Sequence, residues 1–280
     1  MKKPNFLKIF IFTFLLLSLL IGQSRLTIVE YRPFPDDLSI LNLIPTKVNW
    51  SIANKFLLLD QDNSELFEIG PFGDINLSSG IGMQNNRYGE LIWMGVSPLG
   101  IQVVDRLENE IVHLDFRLNP IQTIPLNQHI YPEMAALDPW GRLFFYSKTY
   151  NGIFVYDRSH LNNIPFIDFY KEFSSNYCII DMAVNQEGDL AIIGCDGIFH
   201  EFSQNGQIQR STPSSIGQSQ FLVSLRDDWL LFNIDGECYS INSQNHMSVP
   251  GSSIPIIDVI SMNRSLAVLS KDHIMILNVQ

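Results

Sequence analysis

Six short apolar runs punctuate the chain: Phe56–Asp60, Ile101–Asp105, Leu143–Ser147, Leu190–Gly194, Leu230–Ile234 and Leu266–Ser270. Their starts lie 45, 42, 47, 40 and 36 residues apart. A polar turn follows each run, and then a second run that tends to alternate, as in Glu110-Ile111-Val112-His113-Leu114-Asp115. Leu143-Phe144-Phe145-Tyr146, Leu190-Ala191-Ile192-Ile193 and Leu266-Ala267-Val268-Leu269 hold no charged residue. A strand of this kind has to be covered on both faces. No stretch after residue 24 carries a long 3.6-residue pattern with capping signals, so almost no helix is expected there.

A strand-rich unit recurring about every 40 residues predicts a β-propeller with one sheet per repeat. Further strands precede the buried runs, as at Met134–Leu137 and Asp181–Val184, and others follow, as at Pro120–Leu126 and Pro165–Phe169. The expected fold is therefore all-β: six blades of four antiparallel strands in one domain over 25–280. The last unit runs out of chain at Gln280, and its missing outer strand is assigned to Leu26–Tyr31. That pairing closes the ring and removes an exposed edge. Turn residues such as Asn151-Gly152, Asp196-Gly197 and Asp235-Gly236 follow the buried runs, where tight hairpins demand positive φ. The spacings also divide: the first three units have longer hairpins after the buried run than the last three.

Residues 1–24 are set apart from the fold. Lys2, Lys3 and Lys8 precede 13 mostly apolar residues, Ile9 to Ile21, and then Gly22-Gln23-Ser24. This is the layout of a secretory signal peptide. The alternative is an uncleaved membrane anchor over residues 5–22. Both readings place the remainder outside the cytoplasm, periplasmic or secreted. Without those three lysines the chain has 15 basic and 29 acidic residues. No Lys/Arg stripe exists, which argues against nucleic acid as a partner. The chain is read as a monomer, meeting membrane only through an uncleaved N-terminal segment.

Tyr88-Gly89-Glu90-Leu91-Ile92-Trp93, then Val96-Ser97-Pro98-Leu99-Gly100-Ile101-Gln102-Val103-Val104-Asp105, then Ile111–Asp115 resemble an NHL-type propeller repeat. Asn54–Asp60 and Gly141–Asp157 are similar, and the resemblance extends over about residues 40–280. It implies a six-bladed architecture shared by binding modules, lyases and lactonases. Lactonase-like propellers hold a divalent cation with Glu, Asn and Asp at the channel ends of inner strands. That likeness nominates Glu133, Asp181 and Asp258 as channel ligands, with Asn185 and Asn233 as further contributors. Converging carboxylates would suit Ca²⁺; otherwise no cofactor is expected, and the competing reading is that the same residues cap strand ends by bonding backbone.

The catalytic search is otherwise negative. There is no Gly-x-Ser-x-Gly, His-Glu-x-x-His, Walker loop or Cys-x-x-Cys. The six histidines are scattered singly. Trp50, Trp93, Trp140 and Trp229 fall in different units, as inter-blade packing or as stacking platforms for a sugar. Cys178 and Cys195 flank the hairpin Asn185–Gly188. If Asn185 faces Gly188, the two cysteines share one face of adjacent strands and form a disulfide, leaving Cys238 free. The leading function is a non-catalytic extracytoplasmic module that binds a protein, small molecule or glycan. The alternative is a metal-dependent hydrolase or lyase of the lactonase type.

Overall fold

The computed structural model describes residues 25–78, 88–251 and 255–280. The expected signal or anchor segment, 1–24, lies outside them. Six separate antiparallel sheets are arranged as the blades of a propeller. Their innermost strands are Lys47–Trp50, Leu91–Ser97, Met134–Leu137, Ile179–Val184, Phe221–Leu225 and Ile256–Met262, in blades one to six. Each inner strand neighbours the next, and that of blade six neighbours that of blade one. The six all run in the same sense about a central channel.

The buried runs are the second strands. Phe56–Asp60, Leu143–Ser147 and Leu190–Gly194 are buried at every position. Each is covered on both faces because the blades on either side press against it. Leu57 and Leu59 pack toward blade two, whereas Phe56 and Leu58 pack toward blade six. One blade's alternate residues thus enter two different inter-blade cores, which is why charged or hydroxyl-bearing Asp60 and Ser147 appear only at the last position of their strands.

The ring closes through the N-terminal strand. Leu26–Pro33 pairs antiparallel with His273–Val279, from Leu26 opposite Val279 to Pro33 opposite His273. Arg32 locks this strand to blade one: it is buried, lies 4.8 Å over the Phe56 ring and donates to the Asn54 carbonyl at 2.8 Å.

The hairpins between second and third strands do sort into two groups. Four residues separate the paired ends Asp60 and Glu65, Asp105 and Glu110, and Ser147 and Gly152. The last three blades have tighter connections, with Gly197 and Gly236 at φ of 76° and 82°. The fourth residue of the longer hairpins is Ser64, Asn109 or Asn151, all at positive φ. Each fastens the crossing to the next blade. Asn109 donates to the Leu126 and Gln128 carbonyls, and Asn151 donates to the Ser175 carbonyl and accepts from the Tyr177 amide.

Two local expectations are corrected. The outer strand of blade three is not continuous over Pro165–Phe169. It splits into His160–Leu161 and Ile167–Asp168, because Pro165 has no N–H for a ladder. A short helix, Phe169–Phe173, follows, capped by the Asp168 carboxylate on the Tyr170 amide. In blade four Asn185 faces Asp189, not Gly188. The Asn185 side-chain oxygen accepts from the Glu187 and Asp189 amides, and Gly188 takes a φ of 77°. The resulting one-residue slip is taken back by a bulge between Ile179 and Asp181.

Candidate functional site

Bulges recur at the start of three inner strands, between Leu91 and Trp93, Ile179 and Asp181, and Ile256 and Asp258. A bulge re-aims the side chain that follows it. Trp93, Asp181 and Asp258 stand opposite Val104, Ile193 and Leu269, each the residue before the last of its second strand. Lys47, opposite Leu59, holds the same place in blade one without a bulge. These four residues form one layer of the channel and line a cavity of about 310 Å³ with residues from all six inner strands.

The polar members of the layer stand in blades six, one and four, so Asp258 neighbours Lys47 while Asp181 faces it across the channel. Lys47 Nζ lies 3.2 Å from Asp258 Oδ1, with the side chains 36% and 11% exposed. Asp258 Oδ2 accepts from the Val48 amide of the next blade at 2.8 Å. Asp181 repeats the device, accepting from the Leu222 amide of blade five at 2.8 Å and from its own neighbour Met182 at 2.9 Å. Inner strands have one unpaired edge, and these carboxylates satisfy amides along it. Removal from water is the main influence on both acids. It pushes Asp181 up to about 6 against the pull of Lys47. Asp258 is raised for the same reason. The Lys47 ammonium is held above its ordinary value chiefly by Asp258, against desolvation.

The arc between Lys47 and Asp181, blades two and three, is apolar. The Trp93 indole lies along its own strand, so close that a Cβ on Gly95 would sit 2.1 Å from the ring. Gly95 leaves the room that the ring fills. Met94, Ala136 and Leu137 continue this wall.

Asp258 therefore pairs with Lys47, Asp181 acts on the same lysine through space across the channel, and Glu133 stands apart. It precedes the inner strand of blade three, one position before Met134, and its carboxylate lies 3.5 Å from Arg106. It does not line the cavity. Asn185 and Asn233 are turn residues whose side-chain oxygens each accept two backbone amides. Asn185 also lines a second opening of about 260 Å³ at the far ends of the inner strands. Among the described residues no group of three or more His, Cys, Asp or Glu side chains is placed to hold a metal ion.

Sequence reading missed Lys47 and the shared layer. The available signal was the repeated Ile-Ile-Asp, at 179–181 and 256–258. Of the tryptophans, Trp50 and Trp229 are buried between blades, Trp93 faces the channel and Trp140 is exposed. Cys178 and Cys195 are joined in a disulfide with Cα atoms 5.4 Å apart, and Cys238 is buried and free.

No protein-family model matches the sequence, nor does any curated protein. Solved structures share the fold at low identity. A catalytically inactive virginiamycin B lyase from Staphylococcus aureus with quinupristin superposes with a TM-score of 0.61 at 12% identity, covering 91% of this chain and 99% of that one. A chain of the mitotic checkpoint complex gives 0.60 at 9%, covering 90% and 91%. YCF48 bound to D1 peptide gives 0.57 at 10%, covering 84% and 78%. The neighbours thus include an enzyme and binding propellers, and the likeness is one of fold.

Proposed function

We propose that this protein is an extracytoplasmic, non-catalytic binding module whose ligand places a cationic group in the channel layer. The observation that carries this reading is the charge count of that layer. Two carboxylates face one lysine, so one negative charge is unmatched in a partly desolvated site. Each acid is already committed to a backbone amide of the neighbouring blade, which suits a rigid receptor better than a site that must rearrange around a metal. A cation at the free side of Asp181 would gain Coulomb energy in a low-dielectric channel. The Trp93 wall on the adjoining arc would cover an apolar body attached to it. An amine or guanidinium on an aliphatic or aromatic stem, as in a basic peptide side chain, fits both halves.

The alternative of a metal-dependent lactonase or lyase requires oxygen ligands to converge, and Glu133 is engaged with Arg106. Titration of the protein with short arginine-containing and glutamate-containing peptides, followed by tryptophan fluorescence, tests the proposal. The arginine peptide should bind at least tenfold tighter, with that preference lost in Asp181→Asn. Preference for the glutamate peptide would overturn it. Calcium binding abolished by Asp181→Asn would favour the alternative.

A further inference from the structure

We infer that the Cys178–Cys195 disulfide is a redox lock on the channel layer: closed, it aims Asp181 into the channel, and opened by a dithiol, it releases Asp181. The part that concerns binding rests on the cation site proposed above; the part that concerns Asp181 stands without it. The bond joins Cys178, just ahead of the inner strand that carries Asp181, to Cys195, the first residue after the second strand of blade four. Both cysteines are exposed, whereas Cys238 is buried. Exchange with an outside thiol depends on such access. The fold does not call for the bond in general. The chain has three cysteines, so the other five blades hold together by strand pairing and packing without one.

Register ties the bond to Asp181. From Val184 opposite Leu190 to Asp181 opposite Ile193, the inner strand follows the pairing that its hairpin sets. Carried on without a break, that pairing would set Ile179 opposite Cys195 and Cys178 opposite Asp196. Neighbouring residues of a strand point to opposite faces, so the two sulfurs would then stand on opposite sides of the blade. The disulfide requires the pairing one residue over, in which Ile179 faces Gly194 and the Cys195 amide reaches the Cys178 carbonyl at 3.0 Å. Two pairings that differ by one residue leave one residue over between them. The bond thus enforces the bulge at Ile180, and the bulge aims Asp181.

Blades two and six carry the same bulge without a disulfide, and each has another hold on it. The Trp93 ring is seated over Gly95, and Asp258 is paired with Lys47 at 3.2 Å. Among the described residues Asp181 makes no ion pair, and its carboxylate is held by the Leu222 and Met182 amides. A dithiol opens the bond in two steps. Its thiolate attacks one cysteine sulfur, the other leaves as a thiolate and takes a proton, and the mixed disulfide is resolved by the second sulfur of the dithiol. Two electrons pass, giving two cysteine thiols and one oxidised dithiol. The Tyr177 hydroxyl, bonded to Asp196 at 3.0 Å and to His200 at 2.8 Å, keeps the two chain segments together meanwhile, so an oxidant can close the bond again.

Amide hydrogen exchange of the folded protein, before and after treatment with dithiothreitol, tests the inference. Reduction should free two thiols to alkylation while Cys238 stays unlabelled. The Leu222 amide should then exchange at least tenfold faster, because its acceptor is Asp181. The Val48 amide, held by Asp258 in the same way, should change less than twofold and serves as the internal control. Reoxidation should restore the slow exchange, and Cys178→Ser with Cys195→Ser should behave as the reduced protein. A Leu222 amide unchanged after complete reduction would overturn the inference, as would an equal rise at Val48 or a bond that resists dithiothreitol until the protein unfolds. The arginine-containing peptide should bind the reduced protein at least tenfold more weakly than the oxidised; equal affinity, with exchange at Leu222 raised, would overturn the control of binding. Failure of that peptide to bind the oxidised protein would count against the cation site, and exchange at Leu222 would still decide whether the bond governs Asp181.

Discussion

Asp181 and Asp258 show how one side chain can serve structure and leave a functional charge behind. Each spends one oxygen on the inner edge of the next blade, at Leu222 or Val48. The cost is ionisation in a poorly hydrated channel. Asp181, at about 6 against an ordinary 3.8, binds its proton more tightly folded than unfolded. Its contribution to stability is therefore full below about pH 4 and is lost as pH rises through about 6. Asp258 acts in the same direction. Asp181→Asn keeps an acceptor for the Leu222 amide and removes the ionisation. The variant should gain on wild type by about 1–3 kcal/mol between pH 4 and pH 7. Thermal melts across that range check this, and a difference independent of pH would refute it. The cation preference proposed for the site should follow the same titration, weakening as pH falls below 6.

At the scale of the strand, hairpins and bulges decide which residues face the channel. Blade four shows the dependence most clearly. Its first hairpin is one residue longer than the shortest alternative, because Asn185 gathers two amides and Gly188 supplies the positive φ. The bulge before Asp181 removes the slip, so Ile179 faces Gly194 and the Cys195 amide reaches the Cys178 carbonyl. The two cysteines then share a face at the blade's end, 17 residues apart in sequence. Closing a loop of that size stabilises by about 3 kcal/mol in the chain-entropy model. Cys178→Ser with Cys195→Ser should lower the melting temperature accordingly. Alkylation of the unfolded, non-reduced protein should label one thiol, Cys238; three labelled thiols would exclude the bond. Burial raises the Cys238 thiol, so it should resist labelling until the protein unfolds.

At the scale of the whole molecule, the closing strand is the one element that ties the two ends of the chain. Without it, the outer face of His273–Val279 and the Phe56 side of blade one lose their cover, including the buried Arg32. Deletion of residues 25–34 should lower the melting temperature by roughly 10 °C or more, since about 1 kcal/mol corresponds to 2–4 °C at this size. Unchanged melting would show the strand to be dispensable.

The repeat of largely apolar runs about every 40 residues, with no helical pattern between them to cover a parallel sheet, was enough to establish six blades. The lack of an outer strand after Val279 was enough to name Leu26–Tyr31 as its replacement. Both are consequences of burial and pairing, which periodicity records directly. The channel layer was only half legible. Asp181 and Asp258 were visible as acids near inner strands, but Lys47 and the separation of Glu133 were not. A side chain's direction depends on register, and register depends on bulges at Ile92, Ile180 and Ile257 that no local pattern announces. Tertiary structure alone decided which charges meet, because residues 47, 181 and 258 become neighbours only when the ring closes.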